Sequence, residues 1–137
     1  MIDKDVVFAK SSAVTKHIKR IKNVPCKDFL TLQNNPDYQD IILFNMQLAV
    51  QNCIDIAAHI ISHENMGVPG STNEMFYLLE ENEYLTRDIT EKMVKAVGFR
   101  NLIVHEYVNL ELKRVYEISK KDINDLEIFL KQILSKI

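Results

Sequence analysis

Asn35-Pro-Asp-Tyr-Gln-Asp-Ile-Ile-Leu-Phe-Asn45-Met-Gln-Leu-Ala-Val-Gln-Asn-Cys-Ile-Asp55-Ile-Ala-Ala-His-Ile-Ile-Ser-His-Glu64 runs without a glycine, and its one proline is the second residue. Asn before Pro is a helix-start signal, with Asn at the cap position and Pro as the first helical residue. The stretch therefore predicts one helix of about 28 residues, roughly 42 Å long at 1.5 Å per residue. Ile41, Ile42, Leu43, Phe44, Leu48, Val50, Ile54, Ile56, Ile60 and Ile61 cover most of its circumference. A helix this apolar is buried on several sides. In a chain of 137 residues it belongs at the centre of a bundle, with one face left for another subunit.

One arc of that helix is polar. Asn45, Asn52, Asp55, His59, Ser62 and His63 fall within about 100° of one another on the helical wheel. Such an arc is ordinarily a water-facing stripe, and Asp55 and His59 at i, i+4 can simply pair. His59 and His63 have the spacing of half a zinc site, but no further ligands follow, so no metal is expected. The reading preferred here over metal is a polar seam facing the functional site described below, in which Asp55 and His59 support it.

Outward from this helix the pattern remains helical. Residues 3 to about 22 place Val7, Val14, Ile18 and Ile21 on one side. Between residues 10 and 27 stand Lys10, Lys16, Lys19, Arg20, Lys22 and Lys27 with no acid among them, a solvated face or a phosphate-tracking patch. Asp28 to Asn35 is a connection or a helical turn. Ser71-x-x-Glu74 reads as a capping box for a short helix with Met75, Phe76, Leu78 and Leu79. Thr86 or Asp88 caps the next helix. Asn109 is a cap candidate for a segment to about Ile118, and Ser119-x-x-Asp122 for a last helix, unless these two are one bent helix. The expectation is an all-α, compact up-and-down bundle of about five to six helices, residues 1–137 forming a single domain.

Composition narrows the function classes. The net charge is −2, with hydrophobic residues at 47% and charged residues at 26%, so no global basic field announces DNA or RNA. Continuous apolar runs stop short of the 18 or more residues of a membrane span, and Met-Ile-Asp-Lys-Asp lacks a signal-peptide pattern, so a cytoplasmic, membrane-free protein is expected. Cys26 and Cys53 lie far apart without a metal motif and read as free thiols.

The chemistry is concentrated in Arg100-Asn-Leu-Ile-Val-His105-Glu-Tyr107. A fixed, forked cation, a titratable imidazole and a phenol are what metal-free cleavage of a ribose-phosphate bond requires. On a continuous helix Arg100 and Tyr107 are about 20° apart, whereas Arg100 and His105 are about 140° apart. Either the helix loosens near His105 or the site draws on a second helix or subunit. Asn101 and His105 form an i, i+4 pair. Gly98, costing about 1 kcal/mol of helix propensity against Ala, reads as a close helix crossing or a bend.

The run Met93-Val-Lys-Ala-Val-Gly-Phe-Arg-Asn-Leu-Ile-Val-His-Glu-Tyr107, with Gln51-Asn-Cys-Ile-Asp-Ile-Ala-Ala-His-Ile60 and Gly67-Val-Pro-Gly-Ser71, resembles the HepT-like toxins of the HEPN superfamily. That resemblance implies an all-helical homodimer and a metal-independent endoribonuclease without cofactor, the toxin of a toxin–antitoxin system acting on RNA. It implies Arg100 and His105 as catalytic residues. It also implies an MNT-type nucleotidyltransferase antitoxin as partner, adding AMP to Tyr107. Two rivals stand beside it: a non-catalytic subunit that binds the nucleotidyltransferase and presents Tyr107, and a structural helical dimer with a vestigial motif.

Overall fold

The computed structural model describes residues Met1–Ile137. It is all helix with no strand. In order come α1 (Lys4–Lys22), α2 (Phe29–Gln33), α3 (Pro36–His63), α4 (Thr72–Glu81), α5 (Arg87–His105), a 3-10 turn (Tyr107–Asn109), α6 (Leu112–Glu117), a π turn (Ile118–Asp122) and α7 (Ile123–Lys136). The last three join without a break, so residues 112–136 are one bent rod and the helices number six.

Register between helices gives the topology. Asp3 meets His59, Lys10 meets Asp55 and His17 meets Asn45, so α1 runs antiparallel to α3. Arg100 meets Gln51 and Tyr107 meets Asp40, so α5 is also antiparallel to α3. Thr86 meets Gln132 and Lys92 meets Asp125, which sets α7 antiparallel to α5. The core is thus an up-down-up-down arrangement of α1, α3, α5 and α7, as the periodicity predicts.

Helix α3 fills the centre. Ile42, Met46, Ala49, Val50, Cys53, Ile56, Ala57 and Ile60 are all but inaccessible. Around them pack Val14 and Ile18 of α1, Phe76 of α4, Met93 and Val97 of α5, and Phe129 of α7. Phe76 and Phe129 meet edge to face with centroids 5.8 Å apart. By length and mean composition α3 is apolar enough to cross a membrane although it holds no continuous apolar run of that length, and 56% of its apolar window is buried inside the bundle.

Several local expectations change. Asn35 holds the cap position of α3, yet its amide donates to Thr31 O and leaves the helix end uncapped. Ser71 caps α4 through Glu74 N, while the Glu74 carboxylate reaches Gly70 N. Thr86, not Asp88, caps α5. Asn109 sits in the 3-10 turn and caps nothing, and α6 starts after Glu111. Ser119 donates to Tyr116 O inside the π turn, so no new helix begins there. A Cβ on exposed Gly98 would meet nothing within 4 Å, so no close helix crossing explains that glycine. Cys26 and Cys53 are free and buried.

Three members of the polar arc of α3, Asn45, Asp55 and His59, meet α1 or its cap Asp3, and Asp55 alone also connects toward the motif, through Gln51. Asn45 is buried and joins His17 Nδ1 at 2.9 Å. Asp55 pairs with Lys10 at 3.3 Å rather than with His59. His59 Nε2 accepts from Asp3 N at 3.1 Å, and its ring stacks on His63 at 4.0 Å. Burial, and then the His63 beside it, hold the His59 imidazole below its ordinary pKa of 6.5. Only a neutral ring can accept the Asp3 N–H.

A depressed folded-state pKa means the unfolded chain takes up the proton first as pH falls. The stability His59 supplies is full above about pH 6.5 and is lost as pH falls through the folded-state value. Urea unfolding of the wild type should therefore weaken from pH 7.5 to pH 5, and His59→Gln should flatten that slope.

Candidate active site

Helix α5 is built to present its last two turns. Ile89, Thr90, Met93, Val97 and Ile103 anchor one side in the core. Thr86 at its start is fastened to α7, its N–H on Gln132 Oε1 at 3.0 Å. With that end fixed, Arg100 emerges half-buried against α3 and His105 falls on the exposed side as the final helical residue.

Arg100 is tied down by neutral partners. Its Nη2 donates to Gln51 Oε1 at 2.8 Å, and Nη1 to Asn101 Oδ1 at 3.1 Å. The Nε–H is buried without a partner. Gln51 in turn donates to Asp55 Oδ1 at 3.0 Å, and Asp55 Oδ2 receives Lys10 at 3.3 Å. A chain Arg100–Gln51–Asp55–Lys10 therefore crosses α5, α3 and α1. Asp55 supports Arg100 at one remove, and Asn101 contacts Arg100 rather than His105. His59, committed to Asp3, joins neither motif residue.

Gln51 is the residue the sequence reading passed over. Its signal was present, since it stands four residues before Asp55 at the edge of the polar arc. His105 makes no hydrogen bond within the chain and no bond links it to Arg100. The wide angle between the two persists, so one chain shows them on different sides of the last turns of α5.

Tyr107 departs from the helical wheel altogether. Helix α5 stops at His105, and Glu106 (φ −135°, ψ 35°) turns the chain into the 3-10 turn. The Tyr107 hydroxyl then donates to Asp40 Oδ1 near the start of α3. It does not share a stripe with Arg100; the two rest on α3 eleven residues apart, roughly 16 Å along the axis. Burial first, and then the Asp40 carboxylate, push the phenol up to about 12.

Residues 14–133 match the family model described as Ribonuclease HepT-like. The chain belongs to the HepT-like ribonuclease family. An mRNA nuclease HepT of Shewanella oneidensis is 33% identical over 126 residues, 92% of this chain and 94% of that protein. A tRNA nuclease HepT of Aphanizomenon flos-aquae is 28% identical over 119 residues, 87% of this chain and 79% of that one. Among solved structures, a tri-AMPylated Shewanella oneidensis HEPN toxin in complex with MNT antitoxin superposes with a TM-score of 0.88 at 32% identity, covering 96% of this chain and 98% of that chain. The HepT-like resemblance carried by the motif is thereby borne out over nearly the whole chain.

The Tyr107 environment gives a direct test. In this HepT-like chain, replacing Asp40 by Asn removes the negative charge but keeps an acceptor oxygen. The phenol should fall part of the way from about 12 toward its ordinary value of 10, burial holding the rest. Ultraviolet titration of tyrosinate, with Tyr107→Phe subtracted, reads the change.

Proposed function

We propose that the chain is the toxin of a toxin–antitoxin system, a metal-independent endoribonuclease that cleaves RNA by attack of the ribose 2′-OH. The observation that carries this is the state of Arg100. A half-buried guanidinium is held by uncharged partners, with its buried Nε–H unspent, about one and a half turns from the end of a helix that closes on an exposed histidine. Such a cation keeps its full charge for a phosphorane. Neutral His105 takes the 2′-OH proton as the 2′-oxygen bonds to phosphorus. The 5′-oxygen then leaves with a proton from a second imidazole, giving a 2′,3′-cyclic phosphate and a 5′-hydroxyl.

One histidine does not readily serve both transfers, and the angle between Arg100 and His105 keeps them from one point. A homodimer answers both constraints by bringing two motifs to one cleft. Phe44 at 58% exposure and Ile41 at 41% on α3, with Val104 at 44% on α5, form the uncovered apolar strip beside the site. Control rests on Tyr107. The Shewanella toxin is AMPylated and bound to an MNT antitoxin, and the same modification here would set a phosphate and a nucleoside at the mouth of the site. The relatives differ in being named for mRNA and for tRNA, so membership supports a ribonuclease without naming its RNA. The location that fits these roles is the cytoplasm.

The second reading is a non-catalytic subunit that binds a nucleotidyltransferase and presents Tyr107. It is favoured by the absence of any bond between Arg100 and His105 in one chain.

Arg100→Ala or His105→Ala should lower RNA cleavage by about 10³-fold or more with the helical circular dichroism unchanged, since each removes an electrostatic or proton-transfer contribution of that order. Chelator should leave cleavage intact. Full activity in His105→Ala, or loss to chelator, overturns the mechanism. Light scattering should give a dimer at micromolar concentration, and Phe44→Glu should shift it to monomer with loss of cleavage.

A further inference from the structure

The hydroxyl of Tyr107 is met by a carboxylate from another helix, and nothing in RNA cleavage by Arg100 and His105 uses that pair. Asp40 lies one turn into α3, exposed, on the flank that meets the chain after α5. Its carboxylate makes no salt bridge, so its one partner in the fold is the phenol. Tyr107 reaches it only because α5 ends at His105; a longer helix would carry the phenol elsewhere.

We propose that Asp40 is the general base for transfer of AMP to Tyr107, a catalytic group that the acceptor chain itself contributes. This rests on the reading that Tyr107 is the modified residue. The transferase binds a nucleoside triphosphate. The phenolic oxygen attacks its α-phosphorus, the oxygen–phosphorus bond forms, and the bond from the α-phosphorus to the bridging oxygen breaks. Pyrophosphate leaves with that electron pair. The phenolic proton passes along the existing hydrogen bond to Asp40, which afterwards gives it up to water.

The chemistry demands such a group. With its proton held up to about 12, only about one Tyr107 in 10⁵ is phenolate at pH 7. So small a phenolate population favours removal of the proton as the bond forms. An aligned aspartate accepting a hydroxyl proton during phosphoryl transfer is an established way to do this. The arrangement also discriminates between additions. The first AMP joins the phenol beside Asp40; a later AMP cannot join that spent oxygen and so does not use this hydrogen bond.

The test follows intact mass over time for the chain incubated with its partner nucleotidyltransferase and ATP, comparing wild type, Asp40→Asn and Tyr107→Phe. Asp40→Asn keeps an acceptor for the phenol but cannot take the proton. Its first AMP should be about 100-fold slower at saturating ATP, the lower end of the range for a general base. Later additions should follow at the wild-type rate. A first addition at the wild-type rate overturns the proposal, as does an equal slowing of every step, which would make Asp40 a docking contact for the transferase. RNA cleavage is measured alongside. An Asp40→Asn chain that loses cleavage yet accepts AMP normally assigns the pair to the nuclease site and overturns the proposal too.

Tyr107→Phe separates this from the parent reading. If Tyr107→Phe gains AMP as the wild type does, Tyr107 is not the acceptor and the parent reading falls. A partner-free arm then judges Asp40 by the labelling of Tyr107 with an aryl sulfonyl fluoride. Asp40→Asn should label more slowly than wild type at pH 7 and faster at pH 10.5, where the less hindered ionisation takes over. Parallel profiles without that crossing overturn the role of Asp40 as base.

Discussion

Burial of α3 on three sides constrains everything else in the molecule. The apolar residues of that helix occupy most of its circumference, so α1, α5 and α7 must close around it and only a narrow strip stays uncovered. Polar groups on α3 are thereby forced to the two borders of the strip, where a flanking helix can satisfy them. On the α1 border stand Asn45, Asp55 and His59, each spoken for by α1. On the α5 border stand Asp40 and Gln51, which receive Tyr107 and Arg100. Arg100 and Tyr107 are thus positioned by partners on the core helix, whereas the exposed His105 imidazole is not.

The identity of the Arg100 partner matters as much as its place. A carboxylate at position 51 would hold the guanidinium more strongly and would cancel the charge that makes it useful at a phosphate. An amide oxygen orients it and leaves the charge. The negative group, Asp55, sits one hydrogen bond farther away and is itself answered by Lys10. The network thus fixes the direction of the guanidinium without spending its charge. The unpartnered Nε–H fits the same description, because a buried donor left idle is costly in a chain with no use for it.

Much of this was legible in the residues. Periodicity and the Asn35-Pro36 start gave α3 to within a residue of its observed span, and the apolar sides of α1 and α7 followed from spacing alone. The chemistry-bearing residues of the motif were legible as types. Their arrangement was not, for two physical reasons. A helical wheel carries no information on which neighbour will cover which arc, so it does not show that α1 and its cap meet Asn45, Asp55 and His59 while only Asp55 connects to Arg100, through Gln51. A wheel also presumes that the helix continues, and α5 does not: nothing between Ile103 and Tyr107 is a glycine or proline, and the stop comes from Glu106 leaving helical dihedrals. The same blindness made Ser119 look like a cap where the chain widens into a π turn and runs on.

That early stop bears on both roles proposed for the motif. Because α5 ends at His105, the imidazole stands exposed at a helix terminus. Because the next residues tighten into a 3-10 turn, the phenol two positions on swings toward the start of α3 and away from the Arg100 stripe. One backbone event separates the proposed cleaving pair from the proposed acceptor of AMP, with Tyr107 two residues beyond His105. On the proposed function, AMP attached at Tyr107 therefore need not reach Arg100 to matter. It would stand two residues from His105, and a bulky anion there would work against RNA through exclusion and like-charge repulsion together.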